Sequence, residues 1–271
     1  VRVLTLLNQK GGVGKSSCSH HLSGALALMG RRVLLVDNDP QSSLSQGFFG
    51  PVAALSIDPS QTVAALYRGD RPFPEQVIRP TGFAGIDILP GSVAATDFNV
   101  PRPFEADDDA QHCLRSFLAE AAGSYDVALI DCPPNLHLCS WAALVASDHI
   151  VVPMQPEDYG AQGIGAVSES IERVQAGPNP SLDLLGYLLT RVGKKAVHQL
   201  YENRLRSLYG EDVFAARVPD AVAYVEAIAA RKPIGFYRPK GAPAQAIRDL
   251  AAELLSRVES RSGAATAMGV A

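Results

Sequence analysis

The run Lys10-Gly11-Gly12-Val13-Gly14-Lys15-Ser16 gathers pliable backbone, two ammonium groups and a hydroxyl into one short segment. Glycines let a chain wrap closely around an anion, with successive N–H groups pointing inward. A strand-like run, Val3–Leu7, precedes it and a helical pattern follows, so a helix N-terminus would add its partial positive charge. The chemistry is that of a polyphosphate cradle. Lys15 would reach the β- and γ-phosphates and Ser16 would ligate Mg²⁺, with Gly11, Gly12, Val13, Gly14 and Ser17 completing the nucleotide contacts. The spacing is that of the P-loop, G-x-x-x-x-G-K-[ST], except that Gln9 stands at the first glycine position and Lys10 follows it.

Two carboxylate segments share this placement. Asp37-Asn38-Asp39-Pro40-Gln41 directly follows Val33–Val36, and Ala128-Leu129-Ile130 ends in Asp131. Open parallel sheets bind ligands outside the carboxyl ends of their strands. There Asp37 and Asp131 suit a Mg²⁺ shell, and Asp39 suits an attacking water. Alone, D-x-D-P is also a common turn, and a strand-ending Asp also a cap. The three segments in this order, each closing a strand, select nucleotide binding.

The positioning elements follow from apolar patterning. Near-continuous Val/Ile/Leu runs at Val3–Leu7, Val33–Asp37, Ile86–Pro90, Val127–Asp131, Ile150–Met154, Leu184–Thr190 and Val213–Val218 predict strands covered on both faces. Helical patterns at Ser17–Met29, Asp108–Ala122, Ala161–Gln175, Val197–Tyr209, Ala221–Ala230 and Ala244–Val258 alternate with them. The expected fold is α/β: a doubly wound, mostly parallel sheet with helices on both faces, as in P-loop NTPases. Phe48–Pro59 and Asn99–Asp109 carry the turn residues of surface loops. No linker divides the chain, so residues 1–260 read as a single domain and 261–271 as a flexible tail.

Composition sets the outer bounds. With 271 residues, 47% hydrophobic and 19% charged, the chain can bury a core and is not a disordered protein. A net charge of −4 and a pI near 5.9 exclude a uniformly basic nucleic-acid binder. The charge is uneven, however. Residues 1–190 hold 11 basic and 20 acidic side chains, whereas 191–248 hold 11 and 5. Cys18, Cys113, Cys132 and Cys139 form no C-x-x-C pair, which points to buried thiols in a reducing, cytoplasmic compartment. His20 and His21 lack metal spacing and belong to a helix surface or core, and Trp141 to the core. The most apolar stretch, Cys139–Met154, is interrupted by Asp148 and His149. No basic-then-apolar leader opens the sequence, and nothing before Val3 could form a helix-turn-helix.

Lys10 to Ser16 resembles the deviant Walker A motif, K-G-G-x-G-K-[ST], of the ParA/MinD (SIMIBI) ATPases. Asn8-Gln9-Lys10 and Val33–Gln41 are especially similar to ParA and Soj partition proteins. The likeness continues through Asp131-Cys132-Pro133-Pro134, Val152–Glu157 and Lys232-Pro233-Ile234-Gly235. The resemblance implies that Lys10 is the signature lysine, reaching a partner subunit's phosphates, and that Lys10, Lys15 and Asp39 carry catalysis. It implies that Thr190, Arg191, Pro219 and Asp220 close over adenine. It further implies ATP and Mg²⁺ as ligands and an ATPase that is slow without its partner. The implied partners are a second copy in an ATP-dependent homodimer, non-specific DNA and a ParB-like or cargo adaptor. The task would be plasmid or chromosome partition, or cargo positioning, in a cytoplasmic protein held on the nucleoid when ATP is bound. Ser16-Ser17 replaces the commoner Thr-Thr, and Pro219-Asp220-Ala221-Val222-Ala223 stands where partition proteins often read P-R-N-V-R.

The basic segment supplies Lys194, Lys195, Arg204, Arg206, Arg217, Arg231 and Lys232 as candidates for tracking DNA phosphates, although Glu202, Glu211 and Asp212 could make it a solvated, salt-bridged face. Membrane attachment needs an amphipathic helix with basic and bulky apolar faces. In Ala244–Val258 Asp249 and Glu253 temper the basic face, so no membrane is expected. Two other readings share the P-loop: a MinD-like membrane-cycling ATPase, and a metabolic or metallocluster-assembly ATPase such as an amidoligase.

Overall fold

Alternating strands and helices wind one seven-stranded sheet; the computed structural model describes residues 1–157 and 160–268. β1 (Arg2–Leu6) leads through the glycine-rich turn into α1 (Lys15–Leu28), followed by β2 (Val33–Asp37), α2 (Ser43–Phe49) and α3 (Pro51–Leu55). Next come α4 (Val63–Arg68), α5 (Pro74–Val77), β3 (Arg79–Phe83), β4 (Ile86–Leu89), α6 (Asp108–Ala121) and β5 (Val127–Asp131). α7 (Leu138–Ala146), β6 (His149–Met154), α8 (Gly160–Gln175), β7 (Asp183–Leu189) and α9 (Ala196–Tyr209) precede α10 (Val222–Ala229), α11 (Ile234–Tyr237) and α12 (Ala242–Met268).

The strand order is β3-β4-β2-β5-β1-β6-β7. Only β3 runs antiparallel, against β4. The apolar strands feed two cores by simple alternation. Val3, Leu34, Val36, Ala128 and Ile130 face one layer, with α4, α6, α7 and α8. Leu4, Leu6, Val33, Leu35, Val127 and Leu129 face the other, with α1, α10 and α12. Burial on both sides is why these strands read as unbroken apolar runs. Among the described residues no helix is long and apolar enough to cross a membrane.

Two expectations need correction, and one edge strand was not among them. Val213–Val218 is not a strand: Val213 makes one isolated bridge to Tyr187, and the Ala215 and Ala216 N–H groups donate to the Glu253 carboxylate instead of a ladder. Phe48–Pro59 is largely helical. Leu44 and Phe48 anchor α2 in the core, Gly50 ends it at φ 82°, and Pro51 opens α3. β3 escaped notice because Pro80 and Gly82 interrupt a half-exposed edge strand. Helical backbone continues from α12 through residues 261–268, and Arg261 pairs with Asp183 and Asp212. Residues 269–271 lie outside the described residues.

His20 and His21 are core residues. The His20 ring stacks on Phe48 with centroids 4.2 Å apart, and neither of its buried nitrogens has a well-formed hydrogen bond. Burial pushes its pKa down to about 4, so the folded protein holds it neutral. His21 is neutral too, accepting from the Ile234 N–H through Nδ1 at 3.1 Å. A base whose pKa is depressed on folding leaves stability intact above its unfolded value, near 6.5, and removes it as pH falls towards the folded value. The unfolding free energy, followed by denaturant titration, should therefore drop between pH 7 and pH 5, by about 2 kcal/mol from His20 alone. His20→Leu should flatten that dependence.

Candidate active site

The first crossover places the cradle. Asn8 Nδ2 donates to the Pro153 carbonyl at 2.7 Å, and Asn8 Oδ1 accepts from the Lys10 N–H at 2.9 Å, pinning the turn between β1 and β6. Gly12 and Gly14 take φ 76° and 88°, a region costly for any side chain, so the turn needs glycine at both. A Cβ at either would meet nothing within 4 Å, so conformation and not crowding selects them. Three side chains grip the carbonyls. Gln155 Nε2 and Arg191 Nη1 donate to Gly12 O at 3.0 and 3.4 Å. The Thr190 hydroxyl lies 2.7 Å from Val13 O and 3.1 Å from Met154 O.

Lys15 is buried, its ammonium donating to the carbonyls of Asn8 and Lys10 at 3.1 and 3.3 Å. Burial lowers its pKa, opposed by the nearby Asp131, Cys132 and Asp39. Lys10 points elsewhere. Its Nζ lies 2.9 Å from Glu157 Oε2 at the rim, and both side chains are partly exposed. The ammonium in turn lowers the Glu157 pKa.

Asp37 and Asp131 are paired across β2 and β5, and both are fully buried. Asp37 Oδ2 accepts from the Ser45 N–H and hydroxyl at 2.7 and 2.6 Å, while Oδ1 has no well-formed hydrogen bond. Burial, more than the nearby Asp39, raises the Asp37 pKa to about 7. Both Asp131 oxygens are buried without a well-formed hydrogen bond. Burial and then Asp37 push that carboxyl far up, opposed by the Ser16 hydroxyl and Lys15. Asp39 Oδ1 accepts from the Gln41 N–H at 2.9 Å. Its pKa is raised by burial, against the Gln41 N–H and Lys15.

Orphaned carboxylate oxygens beside the Ser16 hydroxyl fit a divalent cation, and the open glycine turn with Lys15 fits the phosphates it would bridge. No cluster of three or more His, Cys, Asp or Glu side chains that could bind a metal by itself occurs among the described residues. Such a site is completed by the ligand's own oxygens and water.

The expected residues thus converge, with some changes of place. Ser17 sits in the first turn of α1 with Ser16. Arg191, at φ 51°, contacts the phosphate turn itself. Pro219 and Asp220 run alongside, through a bridge to Val192 and an Asp220 N–H to Val192 O bond of 3.1 Å. The basic candidates do not form one patch. Arg206 and Arg217 converge on Glu202, which is buried and not on a solvated face. Lys194, Lys195 and Arg204 are exposed on and before α9, which packs on one face of the sheet through Leu205 and Tyr209. Arg231 and Lys232 follow α10, which packs on the other face. The Arg231 guanidinium fills the space beside Gly50. Asn8, Gln155 and Glu157 had no assigned role from sequence, although their position at strand ends was the available signal.

If Asp131 serves the cation, Asp131→Asn should weaken nucleotide binding about tenfold in Mg²⁺ and leave it unchanged in EDTA. The nucleotide-free variant should melt at or above the parent temperature, because a buried unpaired carboxyl has gone. Titration with a fluorescent ADP analogue, with melting curves, checks both signs.

The profile of a family described as an AAA domain matches residues 1–184. The chromosome partitioning protein ParA of Caulobacter vibrioides is 34% identical over 98% of both chains. The chromosome-partitioning ATPase Soj of Thermus thermophilus is 36% identical, over 96% of this chain and 97% of its own. Among solved structures, cobyrinic acid a,c-diamide synthase of Mycobacterium smegmatis, with a bound ATP analogue and magnesium, superposes with a TM-score of 0.78. It is 30% identical, over 96% of each chain. With the phosphate turn, the paired carboxylates and this likeness over nearly its full length, the chain belongs to the ParA/Soj-type partition ATPases.

Proposed function

We propose that the protein is an ATP-dependent dimer switch: Mg-ATP closes two copies, the closed dimer holds DNA without sequence preference, and an adaptor of the ParB kind or a cargo protein triggers hydrolysis and release. Residues 1–260 act as the single ATPase unit, held on the nucleoid while ATP is bound. The observation that carries this reading is the divergence of the two lysines. Lys15 turns into its own cradle, and Lys10 lies at the rim against Glu157, where a facing subunit can take it up. An ammonium that reaches the phosphates only across a subunit boundary makes assembly conditional on the triphosphate.

Mg²⁺ held beside Ser16, Asp37 and Asp131 would offset the charge of the phosphates. The amides of residues 11–16 and Lys15 hold the phosphates, and Ser16, Asp37 and Asp131 are the cation's protein side. Asp39 accepts a hydrogen bond from the attacking water and aims its oxygen at the γ-phosphorus. As the water oxygen bonds to phosphorus, the bond from phosphorus to the β–γ bridging oxygen breaks; ADP and phosphate leave, and the water's proton passes to the released phosphate. Lys15 and the partner's Lys10 stabilise the charge that moves onto the leaving oxygen. Thr190, Arg191, Pro219 and Asp220 border the base side. Lys194, Lys195 and Arg204 are the DNA contacts on the α9 face, doubled in a two-fold dimer.

The amidoligase reading draws on the likeness to the diamide synthase. It predicts ATP consumption that depends on a carboxylic acid substrate and an amine donor, with no response to DNA.

Light scattering and DNA co-sedimentation with ADP and ATP decide between them. ATP should give a dimer that pellets with DNA, and Lys10→Ala should abolish both while keeping ADP affinity. Asp39→Ala should keep the dimer and lose turnover roughly 100-fold. Each of Lys194→Ala, Lys195→Ala and Arg204→Ala should lower the salt slope of DNA binding by about one. A solitary ATP-bound protein, or DNA retention indifferent to nucleotide, would end the switch reading.

A further inference from the structure

Between the two carboxylates of β2's end stands Asn38, whose side chain faces the opposite layer from Asp37. It is fully buried and bonded at N, Nδ2 and Oδ1 to segments distant in sequence. Its N–H donates to Asp131 O at 2.9 Å, its Nδ2 to Cys139 O at 2.7 Å, and its Oδ1 accepts from the Tyr67 hydroxyl at 2.8 Å. Tyr67, on α4, is itself buried in the apolar layer. The network continues past α7. The Cys139 N–H donates to Asn99 Oδ1 at 3.0 Å, and Asn99 Nδ2 lies 3.4 Å from Asn135 Oδ1, which also accepts from the His137 N–H.

One side chain therefore ties the segment bearing Asp39 to the segment that follows Asp131. Stability alone does not call for it. Leucine and phenylalanine in the same space would pack in an apolar layer with no polar group to satisfy, and such replacements of buried polar pairs are often neutral or stabilising. What only the polar pair supplies is directional placement. We infer that Asn38, braced by Tyr67, is a positioning residue for hydrolysis: it holds the Asp37–Asp39 segment in register with the start of α7, so that Asp39 keeps its aim at the γ-phosphate. This rests on the ATPase reading, and acts through Asp39.

The test compares Asn38→Leu, Tyr67→Phe and the double variant in steady-state Mg-ATP hydrolysis, ADP binding and thermal melting. Each single change should lower kcat about tenfold, and the double no further, because both interrupt one path. KM and ADP affinity should stay at parental values throughout. Each single change leaves a buried partner unpaired and should lower the melting temperature slightly, whereas the double should melt at the parental temperature. Turnover at the parental rate in either single variant overturns the inference, and so do losses that multiply in the double. Turnover that returns to the parental rate in the double, together with its melting temperature, assigns the pair to stability and overturns it as well. Tyr67→Phe removes a single hydroxyl, so it decides the matter alone if Asn38→Leu does not fold. A parent without ATP hydrolysis would sink the ATPase reading; hydrogen exchange then tests the brace separately. Exchange in residues 37–41 and 132–139 should rise together in Tyr67→Phe, and unaltered exchange overturns the inference.

Discussion

Asp37, Asp131 and Lys15 are all buried at the ends of the central strands, and the electrostatics of that burial constrain everything around them. Asp37 and Asp131 are side by side on adjacent strands, so ionising both sets like charges against each other in a poorly screened site. Burial drives both carboxyls upward and the ammonium downward. Each charged group thus lacks part of the counter-charge it needs. The carboxylates call for a cation, and the ammonium with its glycine-rich turn calls for an anion. A magnesium-bound polyphosphate brings both at once, which favours binding the pair as a unit over either component. The sheet maintains this arrangement through register. A slip of β5 by one residue would turn Asp131 to the other layer and put an apolar neighbour beside Asp37.

The ends of β6 and β7 complete the cradle from outside. Gln155 and Arg191 hold Gly12 O, and Thr190 holds Val13 O. Because a peptide unit is planar with its C=O and N–H opposed, a carbonyl drawn outward turns the following N–H inward. The amides of Val13 and Gly14 are oriented this way by side chains that touch no phosphate. Anion binding in the turn is therefore prepared by residues far along the chain, and Asn8 locks the same turn to Pro153.

Much of this was legible from local pattern. The glycine–lysine turn, the strand-ending aspartates and the double-faced strands each state their role within a few residues. What escaped notice depends on partners distant in sequence. Asn38 looks like a filler between two aspartates until Tyr67 and Cys139 meet it. Glu202 and Arg206 have the spacing of an ordinary exposed helix pair, and only Arg217, arriving from another segment, makes them a buried junction. Val213–Val218 has strand composition, yet Glu253 on α12 captures two of its amides. β3 carries proline and glycine that a central strand would refuse, which an edge position tolerates.

The same distinction governs how the basic segment should be weighed. Counting charges along residues 191–248 treats every cation as available to a polyanion. Glu202 is buried between Arg206 and Arg217, so those guanidinium groups already have a partner whose desolvation they offset. Withdrawing either to reach a phosphate would strip one oxygen of a buried carboxylate of its partner, a cost that an exposed Lys194 or Lys195 does not carry. The sheet then separates what remains, with α9 on one face and α10 on the other. If the chain tracks phosphates as proposed, each subunit offers fewer free cations than its sequence charge implies. A two-fold pairing, as proposed, would double the α9 cations without calling on the arginines that hold Glu202.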